Sequence, residues 1–279
     1  MKLSQEFLKQ VITKRKRASH KGDYGRLLLV GGLSPYGGAI IMAAKAAVYS
    51  GAGLVTVATE KDNISPLHAQ LPEAMAFSVD DKALFLQHIR TADVILIGPG
   101  LSENSKAETL FDSVMAQVSE EQILILDGSA LNLIAKRKDQ VKKGQNLVLT
   151  PHEKEWERLS GLAIEKQNLQ TTQEALSHFP DSTILVAKSH ATSIFYQDQI
   201  FQIGIGGPYQ ATAGMGDTLA GMIAGFAGQF QNVSLVERLA AATYLHSYIA
   251  DQLARDNYVV LPTTICEQIP YWMKKWCQN

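Results

Sequence analysis

The chain has 279 residues, of which 46% are hydrophobic and 19% are charged, and its formal net charge at pH 7 is −1. This composition excludes a disordered chain, a collagen and a coiled coil, and the charge provides no global attraction for nucleic acid. Two cysteines near the C-terminus fit neither a disulfide scaffold nor a zinc site, and they favour a reducing compartment. No apolar run approaches the roughly 20 residues of a membrane span and no signal-peptide core is present, so we predict a cytoplasmic protein.

Short apolar runs alternate with longer helical patterns along the first two thirds of the chain. Strands are predicted at Arg26–Val30, Leu54–Thr59, Val94–Gly98, Ile123–Asp127, Leu147–Thr150 and Thr183–Ala187. Helices between them are predicted at Ala39–Tyr49, Ser105–Val118, Ala130–Lys136, Lys154–Leu159 and Asn168–His178. Nearly continuous apolar strands are typical of a sheet that is covered on both faces. The alternation therefore predicts an α/β fold with a mostly parallel central sheet flanked by helices.

The pattern changes after Ala187. Two short runs, Ser193–Tyr196 and Ile200–Ile203, flank a polar turn and predict a β-hairpin in the C-terminal half. Helices are then predicted at Asp217–Phe230, Leu235–Leu253 and Thr264–Trp276. Gly221 and Gly225 lie four residues apart in the first of these helices, which favours close helix packing. No linker or repeat interrupts the chain, so we predict one domain over residues 1–279.

Small and polar residues follow five of the predicted strands. In open parallel sheets, ligands bind outside the carboxyl ends of the strands. The topology therefore predicts one shared rim, built from residues 31–39, 98–100, 127–129, 150–153 and 188–192.

The strongest local feature is the run Ala213-Gly214-Met215-Gly216-Asp217-Thr218, which opens an apolar helix. Small residues let a ligand approach the backbone, and free N–H groups at a helix start favour a phosphate. Gly214 and Gly216 would then form an anion hole beside Asp217. This carboxylate either caps the helix or accepts a proton from a hydroxyl group, and the motif alone leaves both roles open.

Four other features have competing interpretations. His152 contacts a polar ligand, or it is a structural or simply exposed histidine. Lys188 neutralises a phosphate, or its ammonium group is solvated. Asp127 either anchors a loop or holds magnesium through water. The basic run Lys14–Arg17 predicts a solvated helix face, because no aromatic residues are interleaved as nucleic-acid contact would require.

Motifs in a fixed order extend over nearly the whole chain. They are His20-Lys21-Gly22-Asp23-Tyr24-Gly25, Gly37-Gly38-Ala39, Ser50-Gly51-Ala52-Gly53-Leu54-Val55-Thr56-Val57, Pro72-Glu73-Ala74-Met75, Gly98-Pro99-Gly100-Leu101, Thr150-Pro151-His152-Glu153, Gly214-Met215-Gly216-Asp217 and Leu219-Ala220-Gly221. Each motif is weak, but their joint order and spacing are specific. By these motifs the chain resembles the ADP-dependent NAD(P)H-hydrate dehydratases, which are carbohydrate-kinase-like repair enzymes with a ribokinase-like fold.

The resemblance implies a repair reaction on hydrated NADH or NADPH, which carries a hydroxyl on C6 of the reduced nicotinamide ring. The family removes this water at the expense of ADP and releases AMP and phosphate. By resemblance Asp217 is the base on the C6 hydroxyl, which attacks the terminal phosphate of ADP. The backbone from Gly214 to Gly216 would form the anion hole, and loss of phosphate regenerates the ring.

The resemblance also implies binding residues and partners. Ala39, Gly100, His152 and Asp217 match positions that contact the hydrated coenzyme. The adenine-nucleotide positions match Lys188, Ser189, His190, Ala191, Thr192 and Gly216. Magnesium is expected because phosphoryl transfer develops charge that a cation must offset, although the family pattern names no metal ligands here. A homo-oligomer, with a tetramer implied by the family, and a separate NAD(P)H-hydrate epimerase are also expected, since too few residues precede the first strand for an epimerase domain.

The chain departs from the family pattern at four places. Met215 replaces a threonine, Ser129 stands where a second aspartate is usual, and Ser189 replaces a glycine. The stretch Gly206-Gly207-Pro208-Tyr209 replaces an Asn-Pro-Gly sequence. The Met215 and Ser129 departures keep a non-catalytic nucleotide sensor open. An ATP-dependent kinase of a small alcohol, such as a vitamin precursor, also stays open, because the same turn and base would serve it.

Overall fold

The computed structural model describes residues 1–137, 141–142 and 144–277. A sheet with the strand order β3-β2-β1-β4-β5-β6-β7-β8-β9 forms the centre of this part of the chain. Its strands are β1 (Arg26–Val30), β2 (Leu54–Thr59), β3 (Met75–Ser78), β4 (Val94–Ile97), β5 (Ile123–Leu126), β6 (Asn146–Leu149), β7 (Ile184–Ala187), β8 (Ser193–Tyr196) and β9 (Gln199–Gln202). Strands β1 to β7 pair in parallel and β7, β8 and β9 pair antiparallel, which confirms the predicted parallel sheet and C-terminal hairpin.

Helices cover both faces of the sheet. They are α1 (Gln5–Val11), α2 (Gly37–Tyr49), α3 (Lys61–Gln70), α4 (Lys82–Thr91), α5 (Ser105–Gln117), α6 (Ser129–Ala135), α7 (Glu153–Ser160), α8 (Leu169–Leu176), α9 (Met215–Ala227), α10 (Leu235–Leu253) and α11 (Pro262–Trp276). One apolar core lies between the sheet and α1, α2, α3, α9, α10 and α11, and a second lies between the sheet and α4 to α8. Because successive strand residues point to opposite faces, Val94 and Leu96 of β4 enter the first core, whereas Ile95 and Ile97 enter the second.

Four short elements were missed by the sequence analysis, namely β3, α1, α3 and α4. Two of them carry little apolar signal, since α3 buries Leu67 alone and β3 has a single buried residue, Phe77, whereas α1 and α4 are short helices that each bury two or three apolar side chains. Such elements are stabilised by packing against their neighbours rather than by local sequence, so periodicity does not reveal them. No helix of the described residues has the length and apolar character needed to cross a membrane.

The basic run Lys14–Arg17 is exposed as predicted, but it is not a helix face. Helix α1 ends at Val11, and residues 14–17 continue without helical structure. The guanidinium of Arg15 lies 3.9 Å from the centre of the Tyr24 ring, and it donates to the carbonyl of Gly51. The prediction was wrong because these tertiary partners, rather than local propensity, hold the segment.

Helices α2 and α9 pack at very short range. A Cβ atom built on Gly221 would lie 2.1 Å from the carbonyl oxygen of Ala43, and one built on Gly225 would lie 2.8 Å from Cβ of Ser50. The predicted close packing at these two glycines is therefore confirmed. The contact sets the position of α9, whose first turn reaches the rim of the sheet.

Candidate functional site

The five segments that follow the central strands form one continuous rim, as predicted. A Cβ atom on Gly98 would lie 1.7 Å from the carbonyl oxygen of Asp127, so the ends of β4 and β5 touch. Thr150 Oγ1 lies 2.6 Å from Asp127 Oδ1 and connects β6 to β5. The N–H of Lys188 donates to the carbonyl of Pro151 at 2.8 Å, which connects β7 to β6.

At the β1 end of the rim, Ala39 and Gly100 are in contact. A Cβ atom on Gly100 would lie 3.1 Å from Cβ of Ala39 and 2.3 Å from the carbonyl oxygen of Tyr36. The N–H of Gly32 donates to the carbonyl of Pro99 at 2.9 Å, which joins the two loops. The structure therefore brings two predicted coenzyme contacts together on a surface of small residues and exposed backbone.

The first turn of α9 lies partly buried at the rim. Gly214 is its N-cap with φ of 92°, a left-handed conformation that favours glycine, and a side chain there would also collide with Met42. The turn contains Met215, Gly216 and Asp217, and the backbone N–H groups of Met215 and Gly216 have no partner within the helix. Gly214 is the N-cap and Asp217 is the third residue of the helix, where its carboxylate accepts a hydrogen bond from its own backbone N–H, so both sequence interpretations of this carboxylate stay predictions.

A buried ion pair lies beside this turn. Lys188 Nζ is 2.9 Å from Asp127 Oδ1, and the two side chains are only 18% and 4% exposed. A Cβ atom on Gly216 would lie 3.4 Å from Lys188 Nζ, so the ammonium group borders the start of α9. Asp127 therefore connects Thr150 and Lys188, which favours the loop-anchor interpretation of this residue, while the magnesium interpretation stays a prediction.

The surroundings of Asp217 make its carboxylate a better base than usual. Burial and the negative charge of Asp127 raise the pKa of Asp217 to about 6, while Lys188 opposes the shift. A base with a pKa near neutrality combines an ionised form at pH 7 with a useful proton affinity. Burial alone would lower the pKa of Lys188, but the charges of Asp127, Glu155 and Asp217 outweigh it and raise the pKa, so Lys188 stays protonated.

His152 is the N-cap of α7, and its tautomer follows from its contacts. Nδ1 accepts hydrogen bonds from the N–H groups of Lys154 and Glu155 at 3.1 and 3.3 Å. Partial desolvation, followed by the charges of Lys188 and Arg158, lowers the pKa of His152. The ring is therefore neutral with its proton on Nε2, which faces Glu155 Oε1 at 3.5 Å.

Glu155 is a charged member of the site that the sequence analysis missed. Its carboxylate accepts the N–H of His152 at 2.8 Å and is 9% exposed. Burial raises the pKa of Glu155, and the charge of Lys188 opposes this shift. The spacing His152-x-x-Glu155 is that of a capping box, and this signal could have identified the residue.

The segment from Lys188 to Thr192 forms the turn between β7 and β8. Ser189 Oγ accepts the N–H of Ala191 at 3.0 Å, and Thr192 Oγ1 donates to the carbonyl of Ser189 at 3.0 Å. His190 and Ala191 are exposed, and a cavity of about 280 Å³ borders the turn. Ser189 is not in a left-handed conformation, so the turn tolerates serine in place of glycine.

The stretch before the first turn of α9 is anchored to α10. The hydroxyl of Tyr209 donates to Asp251, and the N–H of Gly206 donates to Asp251 Oδ1 at 3.0 Å. Burial and the neighbouring carboxylate raise the pKa of Tyr209. This pair gives the divergent sequence 206–209 a fixed position.

A larger cavity, of about 950 Å³, lies at the opposite end of the sheet and is bordered by Arg15 and Tyr24, away from the chemistry of the rim.

Comparison with known proteins identifies the family. A family model described as NAD(P)H-hydrate dehydratase matches residues 27–271. The chain is 56% identical over 275 residues to a Streptococcus thermophilus protein named ADP-dependent (S)-NAD(P)H-hydrate dehydratase, and the match covers 99% of each chain. It is 47% identical over 264 residues to a Staphylococcus aureus protein of the same name, with 95% of this chain and 94% of that one covered.

Solved structures agree with this assignment. A ribokinase-like superfamily protein from Enterococcus faecalis V583 superposes with a TM-score of 0.95 at 45% identity, covering 100% of this chain and 96% of that chain. The ADP/ATP-dependent NAD(P)H-hydrate dehydratase of Bacillus subtilis, co-crystallised with ATP and Mg²⁺, superposes with a TM-score of 0.86 at 26% identity, covering 98% and 97%. The chain belongs to the NAD(P)H-hydrate dehydratase family, so the expected ribokinase-like fold and hydro-lyase class are confirmed.

Proposed function

We propose that this member of the family uses ADP to dehydrate hydrated NADH or NADPH, with Asp217 as the general base. The observation that carries the proposal is the position of Asp217 in the first turn of α9, with a pKa raised to about 6 beside free backbone N–H groups. Relatives at 56% and 47% identity carry the name of this ADP-dependent activity.

The reaction divides into two steps. Asp217 accepts the proton of the C6 hydroxyl while that oxygen attacks the terminal phosphorus of ADP, and AMP leaves. The N–H groups from Gly214 to Gly216 would stabilise the transferring phosphoryl group, as helix N-termini do for anions. Loss of phosphate from C6, together with a proton from C5, then restores the double bond of the reduced ring, so the oxygen of the C6 hydroxyl leaves in the released phosphate.

The remaining rim residues would bind the two substrates. Ala39 and Gly100 present small side chains and backbone to the hydrated coenzyme, and His152 is a neutral ring at the same rim. The nucleotide would bind along Lys188, Ser189, His190, Ala191 and Thr192, with Gly216 at its phosphates. The charge of Lys188 suits the phosphate end of this site, because its ammonium borders Gly216.

Magnesium would enter the site as part of the nucleotide substrate. The described residues contain no group of three or more His, Cys, Asp or Glu side chains that could hold a metal ion. The side chains therefore do not form a metal cage, and Mg²⁺ commonly binds through substrate phosphates with few protein ligands. No step above depends on the position of the ion.

Several wider expectations remain predictions. They are one domain over the whole chain, a cytoplasmic location, a homo-oligomer such as a tetramer and a separate epimerase that acts on the same hydrated coenzyme. The single sheet supports one domain, because its β9 edge also pairs with Lys2 near the N-terminus.

A coupled assay tests the proposed function. The purified protein is mixed with Mg²⁺, ADP and hydrated NADH, and the return of reduced-nicotinamide absorbance is followed together with phosphate release. We expect both signals to appear together and to require ADP. If neither appears while ADP raises the melting temperature, the pocket binds nucleotide but its substrate is different, and phosphorylation of small alcohols by ATP is measured next.

Replacement of the base separates an enzyme from a sensor. Asp217→Asn should lower turnover by about 100- to 10,000-fold, because it removes the proton acceptor, while ADP binding persists. Asp62→Asn is the matched control, since Asp62 is an exposed acid in the first turn of α3, and its turnover should equal that of the unmodified protein. Turnover that survives in Asp217→Asn would show that another group is the base.

A further inference from the structure

We propose that Asp127 is a positioning residue, which holds the ammonium group of Lys188 beside the first turn of α9. This inference rests on the proposed function, because the held charge would lie where ADP phosphate is transferred. It goes beyond that function by assigning a role to a residue at the end of β5 that is not among the residues proposed to bind either substrate.

The contacts of Asp127 are those of a side chain that positions another group. Its carboxylate is 4% exposed, and Oδ1 lies 2.6 Å from Thr150 Oγ1 and 2.9 Å from Lys188 Nζ. Lys188 enters from β7, two strands away from Asp127 in the sheet order. The carboxylate therefore spans the end of β6 to reach the lysine, and Thr150 of that intervening strand steadies it.

A buried ion pair is weak evidence for a gain in stability. Burying two charges removes them from water, and apolar replacements of buried ion pairs are often neutral or stabilising. The pair does, however, fix where a flexible lysine side chain ends, since Nζ lies 3.4 Å from the position of a Cβ atom on Gly216. A lysine held there presents its charge to an anion at the start of α9 without having to reorganise when that anion arrives.

Asp127 also keeps Lys188 from pairing with the base. Three carboxylates act on Lys188, but among the described residues only Asp127 is within ion-pair distance, while Glu155 and Asp217 act from farther away. Without the Asp127 charge, Lys188 would be drawn towards Glu155 of α7 and Asp217 of α9. A lysine paired with Asp217 would stabilise the carboxylate and weaken it as a base.

A double-mutant cycle tests the proposal. Asp127→Asn, Lys188→Met and the double variant are compared with the unmodified protein in the coupled assay and in calorimetric titrations with ADP. We expect Asp127→Asn to lower kcat/KM by about 10- to 100-fold, the size of a lost hydrogen bond to a charged group. If Asp127 acts through Lys188, the double variant has the same ADP affinity as Lys188→Met alone and, on the plateau above the acid limb where Asp217 is ionised in both variants, the same kcat/KM.

The pH profile supplies a readout that a purely structural role would not move. Loss of the Asp127 charge removes one cause of the high pKa of Asp217 and frees Lys188, so the acid limb of the rate profile should shift to lower pH. Asp112→Asn is the control, because Asp112 pairs with Arg137 at 3.3 Å on an exposed part of α5, and its kcat/KM and acid limb should stay unchanged.

Three results would overturn the inference. The first is a double variant whose kcat/KM is lower than that of Lys188→Met by the same factor that Asp127→Asn causes alone. The second is an acid limb that Asp127→Asn does not shift, and the third is an Asp127→Asn variant with the kcat/KM of the unmodified protein. If Asp127→Asn alone does not fold, the double variant still tests the proposal, because it leaves no unpaired buried charge. Its kcat/KM and ADP affinity are then compared with those of Lys188→Met. Absent turnover in the unmodified protein would contradict the proposed function instead, and the ADP affinities of the cycle would still test the link between Asp127 and Lys188.

Discussion

Helix α9 is partly exposed in its first turn and enclosed from Thr218 to Ala227, where every residue is buried. Its interior consists of small and apolar residues that lie against α2 and α10, and glycines let the backbones approach. The first turn instead holds free N–H groups and a carboxylate with a raised pKa. One helix thus contains a segment that stabilises the fold and a segment in which a charge is held at the expense of stability, so substitutions in the two segments should have different effects.

The largest effect on stability is expected at Gly221. Gly221→Ala places a methyl group 2.1 Å from the carbonyl oxygen of Ala43 and forces α2 and α9 apart. Overpacking of a core commonly costs up to about 3 kcal/mol, and we expect a loss near that value in the free energy of unfolding by urea. Gly38→Ala is the control, since a Cβ atom there meets nothing within 4 Å, and its stability should stay within about 0.5 kcal/mol. Equal stabilities would contradict the close approach of the helices.

The next largest effect on stability is a gain in the free energy of unfolding when Asp217, the proposed base, is replaced by asparagine. The pKa of Asp217 is about 6 in the folded protein against 3.8 for an unperturbed side chain, so the folded state favours the protonated form. This contribution is present at low pH and is lost as pH rises through about 6. A pKa shift of this size corresponds to about 3 kcal/mol of free energy of unfolding, and the partial exposure of Asp217 reduces that amount. Asp217→Asn should therefore raise the free energy of unfolding by about 2 kcal/mol near pH 8.

The pH dependence distinguishes this explanation from better packing of the amide. Below about pH 4 the carboxyl is protonated in both folded and unfolded chains, and the variant should lose its advantage. Urea unfolding at several pH values measures the difference directly. A constant difference at every pH would mean that the charge of Asp217 is not the cause.

A smaller effect on activity is expected at Gly216. A Cβ atom there would lie 3.4 Å from Lys188 Nζ, in van der Waals contact with the ammonium group, so Gly216→Ala should occupy space beside Lys188 and crowd a bound phosphate. We expect kcat/KM to fall by about tenfold, or about 1.4 kcal/mol, without loss of stability, because alanine favours a helix. Gly221→Ala should instead lower stability, because it lies in the buried part of α9. A loss of stability in both variants would contradict the distinction between the first turn of α9 and its buried interior.

The smallest effect is expected at Met215. Its side chain packs against the apolar core, and its contribution to the proposed anion hole is a backbone N–H that any residue except proline supplies. Met215→Thr should therefore change turnover by less than about threefold, or about 0.6 kcal/mol, in the coupled assay. A much larger increase would show that a hydroxyl at this position takes part in the reaction.

Much of the fold could be predicted because its signal is local. The strands β1 and β2 have the predicted bounds, since continuous apolar runs mark strands that are buried on both faces. The start of α9 was predicted two residues late, because Gly214-Met215-Gly216 has low helix propensity and the turn is held by α2. Elements with weak local signals, such as β3, were missed for the related reason that neighbouring strands supply their partners.

The candidate site also contains residues that the sequence identified and residues that only the structure revealed. Motif and resemblance identified Asp217, His152 and Lys188, and the strand ends placed them at one rim. Glu155 was missed although its capping-box spacing is visible in the sequence. The pairing of Asp127 with Lys188, 61 residues later, was not predicted, because side chains at separate strand ends reveal no partner until the strand order is known.

The sequence by itself determined the alternation of strands and helices, the family and the glycine-rich start of α9, because apolar periodicity and motif order are properties of neighbouring residues. Tertiary structure alone decided that residues 14–17 do not continue helix α1, because Arg15 stacks on Tyr24, and that Lys188 is held by Asp127 next to Gly216. Both depend on electrostatic contacts between distant segments. Such contacts act through space over a few ångströms, so they arise only when the sheet order and the α2–α9 packing bring those segments together.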